Sequence, residues 1–189
     1  DKNVLSQIEE IKRYNKETFA YYAYDKTGRR IDPGSIFDVQ IKRLHEYKRQ
    51  LLNVLKIIAY YNELKENPNA NIQPTTFIFG GKAAPGYYMA KDIIKLIWSL
   101  GQEIERDPVI REKIRVIYLE DYNVSTAEIL MPASDISEQI SLAGRNILLP
   151  AFPERDSGQI TRFSFPFYGE REKYADWLLC DGRNFRRGH

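Results

Sequence analysis

The chain has 189 residues, and its 28 Lys and Arg against 26 Asp and Glu give a formal net charge of only +2. This length suits a single hydrophobic core, and so small a charge gives no general attraction for nucleic acid or an acidic membrane surface. The single cysteine, Cys180, excludes an internal disulfide, and no stretch approaches the roughly 18 apolar residues of a membrane helix, so the composition predicts a soluble, cytoplasmic protein.

The first predicted elements are a helix and a strand. Residues 4–22 are highly charged and carry Leu5, Ile8 and Ile11 at helical spacing, which predicts an amphipathic helix. After a turn-rich stretch, residues 36–41 alternate apolar and polar side chains, which is typical of a half-buried strand.

The next four predicted elements alternate between helix and strand. Apolar residues recur on one helical face over residues 47–66 and again over residues 87–105, which predicts two helices. Residues 75–80 are aromatic and β-branched, and residues 114–119 are almost continuously apolar, as in a strand covered on both faces. We expect the strands to be parallel neighbours in one α/β, Rossmann-like sheet, with ligands bound at their carboxyl ends.

The densest basic cluster lies between the first strand and the second helix. Residues 42–49 read KRLHEYKR, and a helix starting at about Tyr47 would place them where backbone N–H groups and the helix dipole favour anions. Arg offers a planar fork and Lys a point charge to phosphate oxygens. The residues alone leave two interpretations open, a phosphate site or a solvated helix start with charges paired to neighbours such as Glu46.

Four consecutive segments carry a resemblance to the glycogen and maltodextrin phosphorylases. They read DVQIKRLHEYKRQLLN at residues 38–53, GGKAAPGY at 80–87, LEDYNVS at 119–125 and PASDISEQIS at 132–141. The resemblance extends over about residues 16–144. It implies that residues 1–144 are part of the cofactor- and phosphate-binding C-terminal domain of a two-domain, GT-B-type glycosyltransferase fold.

The resemblance also implies roles for individual residues. Arg43 and Lys48 match the catalytic cations that hold the reacting phosphate and the neighbouring cofactor phosphate, and Lys42 is a further phosphate-binding residue beside them. Tyr47 matches a substrate-binding residue at the glucosyl site. The cofactor so implied is pyridoxal phosphate, whose own phosphate assists proton transfer to the substrate phosphate.

Other residues of the resembling segments have secondary roles. Tyr122 and Asn123 match the cofactor-binding loop, and Tyr87 matches an aromatic residue near the entrance to the active centre. His45 has no second histidine or cysteine near it in sequence, so we predict no metal site and a supporting structural role for this histidine.

By resemblance, the whole protein uses inorganic phosphate to release glucose 1-phosphate from an α-1,4-glucan, and it is a homodimer. One alternative is a glucan synthase on the same fold, in which the basic cluster binds the diphosphate of a nucleotide-sugar. Another is a non-enzymatic module for phosphate or nucleic acid, whose binding would fall steeply with salt. The near-neutral net charge weighs against nucleic acid as a partner, and we expect no membrane partner.

The tail, residues 145–189, matches no part of the family and shows no alternation of strands and helices. The resemblance assigns no residue of this chain to the lysine that forms the Schiff base, so we expect no covalent attachment of pyridoxal phosphate. The first residue is Asp1 rather than Met, and no segment resembles the family's N-terminal domain. These features predict a piece of a longer protein that is inactive alone.

Overall fold

The computed structural model describes residues 2–140 and 161–164. The helices in these ranges are α1 (Lys2–Thr27), α2 (Gln50–Glu66), α3 (Tyr88–Arg106) and α4 (Val124–Ala133). The strands are β1 (Ile36–Ile41), β2 (Thr75–Gly80), β3 (Ile114–Leu119), β4 (Ile136–Gln139) and β5 (Thr161–Ser164). No helix in the described ranges is both long enough and apolar enough to cross a membrane.

The five strands form one sheet in the order β3-β2-β1-β4-β5. Strands β1 to β4 are parallel, and β5 runs antiparallel to β4. Ile41 pairs with Gly80, which pairs with Leu119, so the first three strands end level with one another. The predicted α/β class and the predicted parallel neighbours are therefore confirmed, and the loops after these strands meet at one edge.

The sheet is covered on both faces by apolar clusters. One cluster joins α2 and α3 to alternate strand residues such as Phe77, Phe79 and Val116. The other joins α1 and α4 to the intervening residues, which include Ile78 and Ile117. Because successive side chains of a strand point to opposite faces, β2 and β3 contribute to both clusters. This explains the continuous apolar pattern of β3.

Strand β3 lies at the edge of the sheet, and its outer side is met by an arginine from the turn after α1. The Arg29 guanidinium donates a hydrogen bond to the Val116 carbonyl, with 3.1 Å between the nitrogen and the oxygen. A Cβ added at Gly101 of α3 would lie 2.6 Å from the same carbonyl oxygen. The lack of a side chain at Gly101 thus allows α3 and Arg29 to approach this strand closely.

Helix α1 exists as predicted and is longer, but the apolar stripe that predicted it is not its packing face. Leu5, Ile8 and Ile11 are 39%, 53% and 62% exposed. Every buried position of the helix lies in its second half, where Phe19 and Ala23 are fully buried. The helix packs through the half that faces the sheet and α4, so helical spacing gave its type but not its orientation.

Helix α2 begins three residues later than predicted. Residues Glu46–Lys48 form a short 3-10 turn, and Arg49 has φ 57°, in the left-handed region. A non-glycine residue in this conformation interrupts a right-handed helix, so α2 starts at Gln50. The basic residues therefore lie in a loop before the helix and not in its first turn.

Helix α4, strand β4 and strand β5 are not identified by the sequence patterns. Helix α4 has only 10 residues with Pro132 near its end, and β4 and β5 have four residues each. Elements this short contain too few repeats for a clear period. Strand β5 is the described part of the tail, at residues 161–164, whereas Cys180 and the predicted boundary at residue 144 lie outside the described residues.

Candidate anion-binding site

The loops after β1 and β2 run side by side at the carboxyl edge of the sheet. The Lys42 N–H donates to the Gly80 carbonyl at 3.1 Å, and the Leu44 N–H donates to the Lys82 carbonyl at 3.3 Å. These two hydrogen bonds continue the strand pairing beyond the last residues of the strands. They hold the basic residues predicted by the sequence directly against the glycine loop.

Gly81 makes this close approach possible. Its φ is +152°, and a Cβ added there would lie 2.1 Å from the Lys42 carbonyl oxygen, well inside contact distance. The Tyr118 hydroxyl donates to the Gly81 carbonyl at 2.5 Å and fixes the loop from the β3 side. Burial, followed by the charge of Glu120, raises the pKa of Tyr118 to about 12, so the hydroxyl stays a donor at neutral pH.

Four cations occupy the loop after β1, and three of them, Lys42, Arg43 and Lys48, are the predicted phosphate-binding residues. Arg43 is exposed, and Lys42 and Lys48 are half-buried. The Lys48 ammonium donates to the Arg43 carbonyl at 2.9 Å, which ties the two ends of the loop together. Within residues 2–140, no carboxylate forms an ion pair with any of these three side chains. The loop therefore carries positive charge that its described surroundings do not neutralise.

The charge of one lysine in this loop changes the pKa of the other. Burial lowers the pKa of Lys42, and the positive charge of Lys48 lowers it further. Like charges held close together disfavour protonation of both groups unless an anion binds between them. An anion bound at this loop would therefore offset the repulsion between Lys48 and Lys42.

Replacing Lys48 with methionine should raise the pKa of Lys42, because Lys48→Met removes the neighbouring charge. The rise should be incomplete, since burial is the larger cause of the lowering. A ¹³C NMR titration of the lysine Cε atoms would measure this change, with the exposed α3 substitution Lys95→Met as the control. A Lys42 pKa unchanged by Lys48→Met would show that the two ammonium groups do not interact.

A buried amide lies beneath the basic loop, and sequence analysis did not identify it. The Gln50 side chain is 2% exposed and donates to the carbonyls of Lys42 and Arg43 at 3.5 and 3.2 Å. Its oxygen accepts from the His45 N–H at 3.4 Å. Gln50, Tyr118 and neighbouring side chains close around Lys42 without leaving room for a water molecule.

Two further buried amides support the far end of the loop. Asn53 of α2 donates to the Gln40 side-chain oxygen at 2.9 Å, and the Gln40 amide donates to the Lys48 carbonyl at 3.4 Å. Both side chains are buried. An unpaired amide at these positions would be costly, so the contacts explain why polar residues lie inside β1 and α2.

Three aromatic side chains lie beside the basic loop. The rings of His45 and Tyr47 have centroids 4.2 Å apart, and the His45 and Tyr87 rings are 5.3 Å apart. The Tyr87 hydroxyl accepts from the Glu46 N–H at 3.2 Å, and the Lys48 ammonium lies 5.5 Å from the centre of the Tyr47 ring. These contacts bring Tyr47 and Tyr87 together beside the basic loop, on the two sides of His45.

The predicted cofactor-binding residues lie further along the sheet edge, after β3, with β2 between them and the basic loop. Burial raises the pKa of Tyr122, which packs against the cluster beneath α1 and α4. Asn123 caps α4, since its side-chain oxygen accepts from the Thr126 N–H at 3.0 Å. The structure thus gives Asn123 a capping role that sequence analysis did not predict.

An exposed ion pair connects the loops after β2 and β3. The Lys82 ammonium lies 2.7 Å from a carboxylate oxygen of Asp121, which has φ 51°. The hydrogen bond and the charge of Lys82 lower the pKa of Asp121. Within the described ranges, no group of three or more His, Cys, Asp or Glu side chains could hold a metal ion.

The fold and the site define a doubly wound α/β domain whose carboxyl edge carries a basic loop, with no carboxylate ion pair to Lys42, Arg43 or Lys48 among the described residues. Its loops, cations and glycine contact follow the order of the resembling segments. The sequence profile of the family described as carbohydrate phosphorylase matches residues 1–147. The chain belongs to this family.

Individual relatives agree with this assignment. The muscle form of glycogen phosphorylase from Oryctolagus cuniculus is 51% identical over 144 residues, which are 76% of this chain and 17% of that protein. Glycogen phosphorylase from Chlamydia pneumoniae is 52% identical over 134 residues, which are 71% of this chain and 16% of that protein. The chain thus spans about one sixth of the length of these relatives.

Proposed function

We propose that the chain supplies the phosphate-binding wall of an α-glucan phosphorylase, a glycosyltransferase that uses inorganic phosphate to release glucose 1-phosphate from α-1,4-glucan chains. The observation that carries this proposal is the group of three cations, Lys42, Arg43 and Lys48, without carboxylate partners among the described residues. In this proposal Arg43 and Lys48 are the catalytic cations, and Lys42 binds phosphate beside them.

The chemistry of phosphorolysis explains why such a loop is required. An attacking phosphate dianion must be removed from water and held against the glucan, and fixed cations compensate the cost of this desolvation. The guanidinium of Arg43 can bind two oxygens at once, while the Lys48 ammonium is already oriented by the Arg43 carbonyl. Tyr47, which lies next to Lys48, is proposed to contact the glucosyl unit.

The residues present also fit the phosphate of pyridoxal phosphate. Burial, followed by the charge of Lys48, lowers the pKa of Lys42, so anions beside Lys42 would favour its charged form, and a second phosphate would share the same cations. Arg43 and Lys48 would hold that group, and Tyr122 and Asn123 would lie beside it. When bound, the cofactor supplies an ionisable phosphate, while the residues of this chain bind and orient the substrate phosphate.

Phosphate titration tests the anion site. Inorganic phosphate should shift the amide resonances of residues 42–48 in ¹H–¹⁵N NMR spectra, and Arg43→Met should weaken binding roughly tenfold or more, as expected for a charge-assisted hydrogen bond. The exposed substitution Lys95→Met is the matched control and should leave the affinity unchanged. Uniform small shifts of surface lysines, with no focus at this loop, would contradict the proposal and favour a solvated basic surface.

We expect that pyridoxal phosphate does not become covalently attached to this chain. The resemblance assigns no residue here to the cofactor lysine, and a lysine that holds phosphate as an ammonium ion cannot attack a carbonyl. Incubation with the cofactor, borohydride reduction and peptide mass mapping should therefore find no stoichiometrically labelled lysine. Full labelling of a single lysine, together with release of glucose 1-phosphate from a glucan, would contradict this expectation.

The proposal extends to the setting of the whole protein. We infer a homodimeric, cytoplasmic enzyme, because the family resemblance implies both properties and the lone Cys180 forms no internal disulfide. The segments that resemble the phosphorylases include the whole basic loop. They therefore favour inorganic phosphate over the diphosphate of a nucleotide-sugar as the ligand of this loop.

A further inference from the structure

The Gln50 amide makes all its described hydrogen bonds with the backbone of the basic loop. It lies at the first position of α2, where a polar side chain usually reaches water, yet it is almost completely buried. Its two donors are directed to the carbonyls of Lys42 and Arg43, and its acceptor is directed to the His45 N–H. Burying an amide is costly unless it is hydrogen-bonded, so this side chain is matched to one conformation of the loop.

The direction of these hydrogen bonds has an electrostatic consequence for an anion. A carbonyl oxygen carries partial negative charge and repels phosphate, and the loop contributes a carbonyl at each cationic residue. The buried Gln50 amide donates to the carbonyls of Lys42 and Arg43 and draws them toward α2, and the Arg43 carbonyl also accepts from the Lys48 ammonium. The Gly81 carbonyl is engaged in the same way by the Tyr118 hydroxyl.

No water molecule fits beside the Gln50 amide in the intact site. The space among Gln50, Lys42 and Tyr118 is smaller than a water molecule. Without the amide, the Lys42 carbonyl must either stay unpaired or rotate toward solvent, where the anion binds, and the Arg43 carbonyl keeps only the Lys48 ammonium as a side-chain donor. Unpaired buried carbonyls are unfavourable, so rotation toward solvent is the easier response.

We propose that Gln50 is a positioning residue of the anion site, which holds the loop so that its cations, and not its carbonyls, face phosphate. This inference rests on the proposed function of the loop. Gln50 does not contact the anion itself, and its effect is transmitted through the backbone of residues 42–45.

Two substitutions of Gln50 and one control test this role, with inorganic sulfate as the probe because its charge is constant between pH 5 and 8. Gln50→Met keeps the side-chain length and removes both donors and the acceptor, and it should weaken sulfate binding roughly tenfold. The control is Gln73→Met, since Gln73 also donates to a backbone carbonyl, that of Gly34, outside the site. It should leave sulfate affinity unchanged.

The near-isosteric Gln50→Glu provides a readout that a purely structural role would not change. At pH 7.5 the carboxylate lacks both donors and adds a negative charge, so sulfate should bind more weakly than to Gln50→Met. Burial disfavours the carboxylate and should raise the pKa of a carboxyl group at this position above its ordinary value, so as the pH falls toward 5 the introduced group should take up a proton and become a donor, and the deficit relative to the natural chain should shrink. The deficit of Gln50→Met should stay constant over this pH range.

Amide NMR spectra would establish that each protein is folded under the conditions of the titration. If Gln50→Met does not fold, the pH dependence of Gln50→Glu decides alone. Sulfate binding at residues 42–48 in the natural chain with equal affinity in folded Gln50 variants, or a pH-independent deficit in Gln50→Glu, would overturn the inference and leave the proposed function intact. Absence of focused binding in the natural chain would overturn the proposed function and this inference with it.

Discussion

Substituting Lys16 with methionine should destabilise the domain by about 3–5 kcal/mol, the usual cost of leaving one partner of a buried ion pair alone. Lys16 and Asp135 are 3% and 1% exposed, and their charged atoms are 2.6 Å apart. The Lys16 ammonium also donates to the Ser35 carbonyl, and Asp135 accepts from the Phe37 N–H. This pair therefore joins α1 to the beginnings of β1 and β4, and Lys16→Met leaves a carboxylate buried without its closest cation.

Lys12 offers only partial compensation for that loss. Its ammonium lies 3.7 Å from the other Asp135 oxygen, and burial lowers the pKa of Lys12 although Asp135 acts to raise it. Urea unfolding would measure the effect, with Arg13→Met as the control because the Arg13–Glu17 pair is exposed. That change should cost about 0.5 kcal/mol or less. Equal effects of Lys16→Met and Arg13→Met would contradict the assigned role of the buried pair.

Replacing Gly81 with alanine should cost about 3–5 kcal/mol and abolish anion binding at the loop, since backbone strain and steric overlap each contribute about 1–3 kcal/mol. The added Cβ would lie 2.1 Å from the Lys42 carbonyl oxygen, and φ at this residue is +152°. The obstacle is backbone, which cannot move aside as a flexible side chain can. The two loops would have to separate, and this would displace Lys42 and Arg43.

Two other glycines separate the contributions to this effect. Gly86→Ala meets nothing within 4 Å, and its φ is not in the left-handed region, so it should change stability little. Gly28→Ala has open space but φ +70°, and it should cost about 1–2 kcal/mol from backbone strain alone. Urea unfolding and phosphate titration would rank the three variants by their loss of stability and by their loss of phosphate affinity. Gly81→Ala with a cost no greater than that of Gly28→Ala would refute the close contact of the loops.

The sequence was sufficient to predict the elements with long, regular patterns and the location of the basic loop. Strands β1, β2 and β3 and helices α2 and α3 have clear periods, and parallel order follows from their alternation. The interior polar contacts were not predictable, because they join positions far apart in the chain. Lys16 and Asp135 are 119 positions apart, and in sequence Gln50 is an ordinary polar residue of a basic segment.

The start of α2 could not be located because helical periodicity does not report a single left-handed residue. Arg49 has the composition of a helix surface position, and only its φ of 57° shows that the helix has not yet begun. Helix propensity favours arginine, so the tertiary contacts of the loop override the local preference here. For the same reason Lys48, which the sequence placed in the first turn of α2, lies in the 3-10 turn before this helix, whereas Lys42 and Arg43 lie between strand and helix as predicted.

The arginine at the outer side of β3 also affects how separate chains can meet. An exposed edge strand offers unpaired N–H and C=O groups that can recruit a strand of another molecule and begin aggregation. Arg29 donates a hydrogen bond to the Val116 carbonyl in the middle of β3. Its positive charge lies where an incoming strand would have to pair. An incoming strand would have to displace this guanidinium, so the hydrogen bond of Arg29 disfavours extension of the sheet on the side opposite to β5.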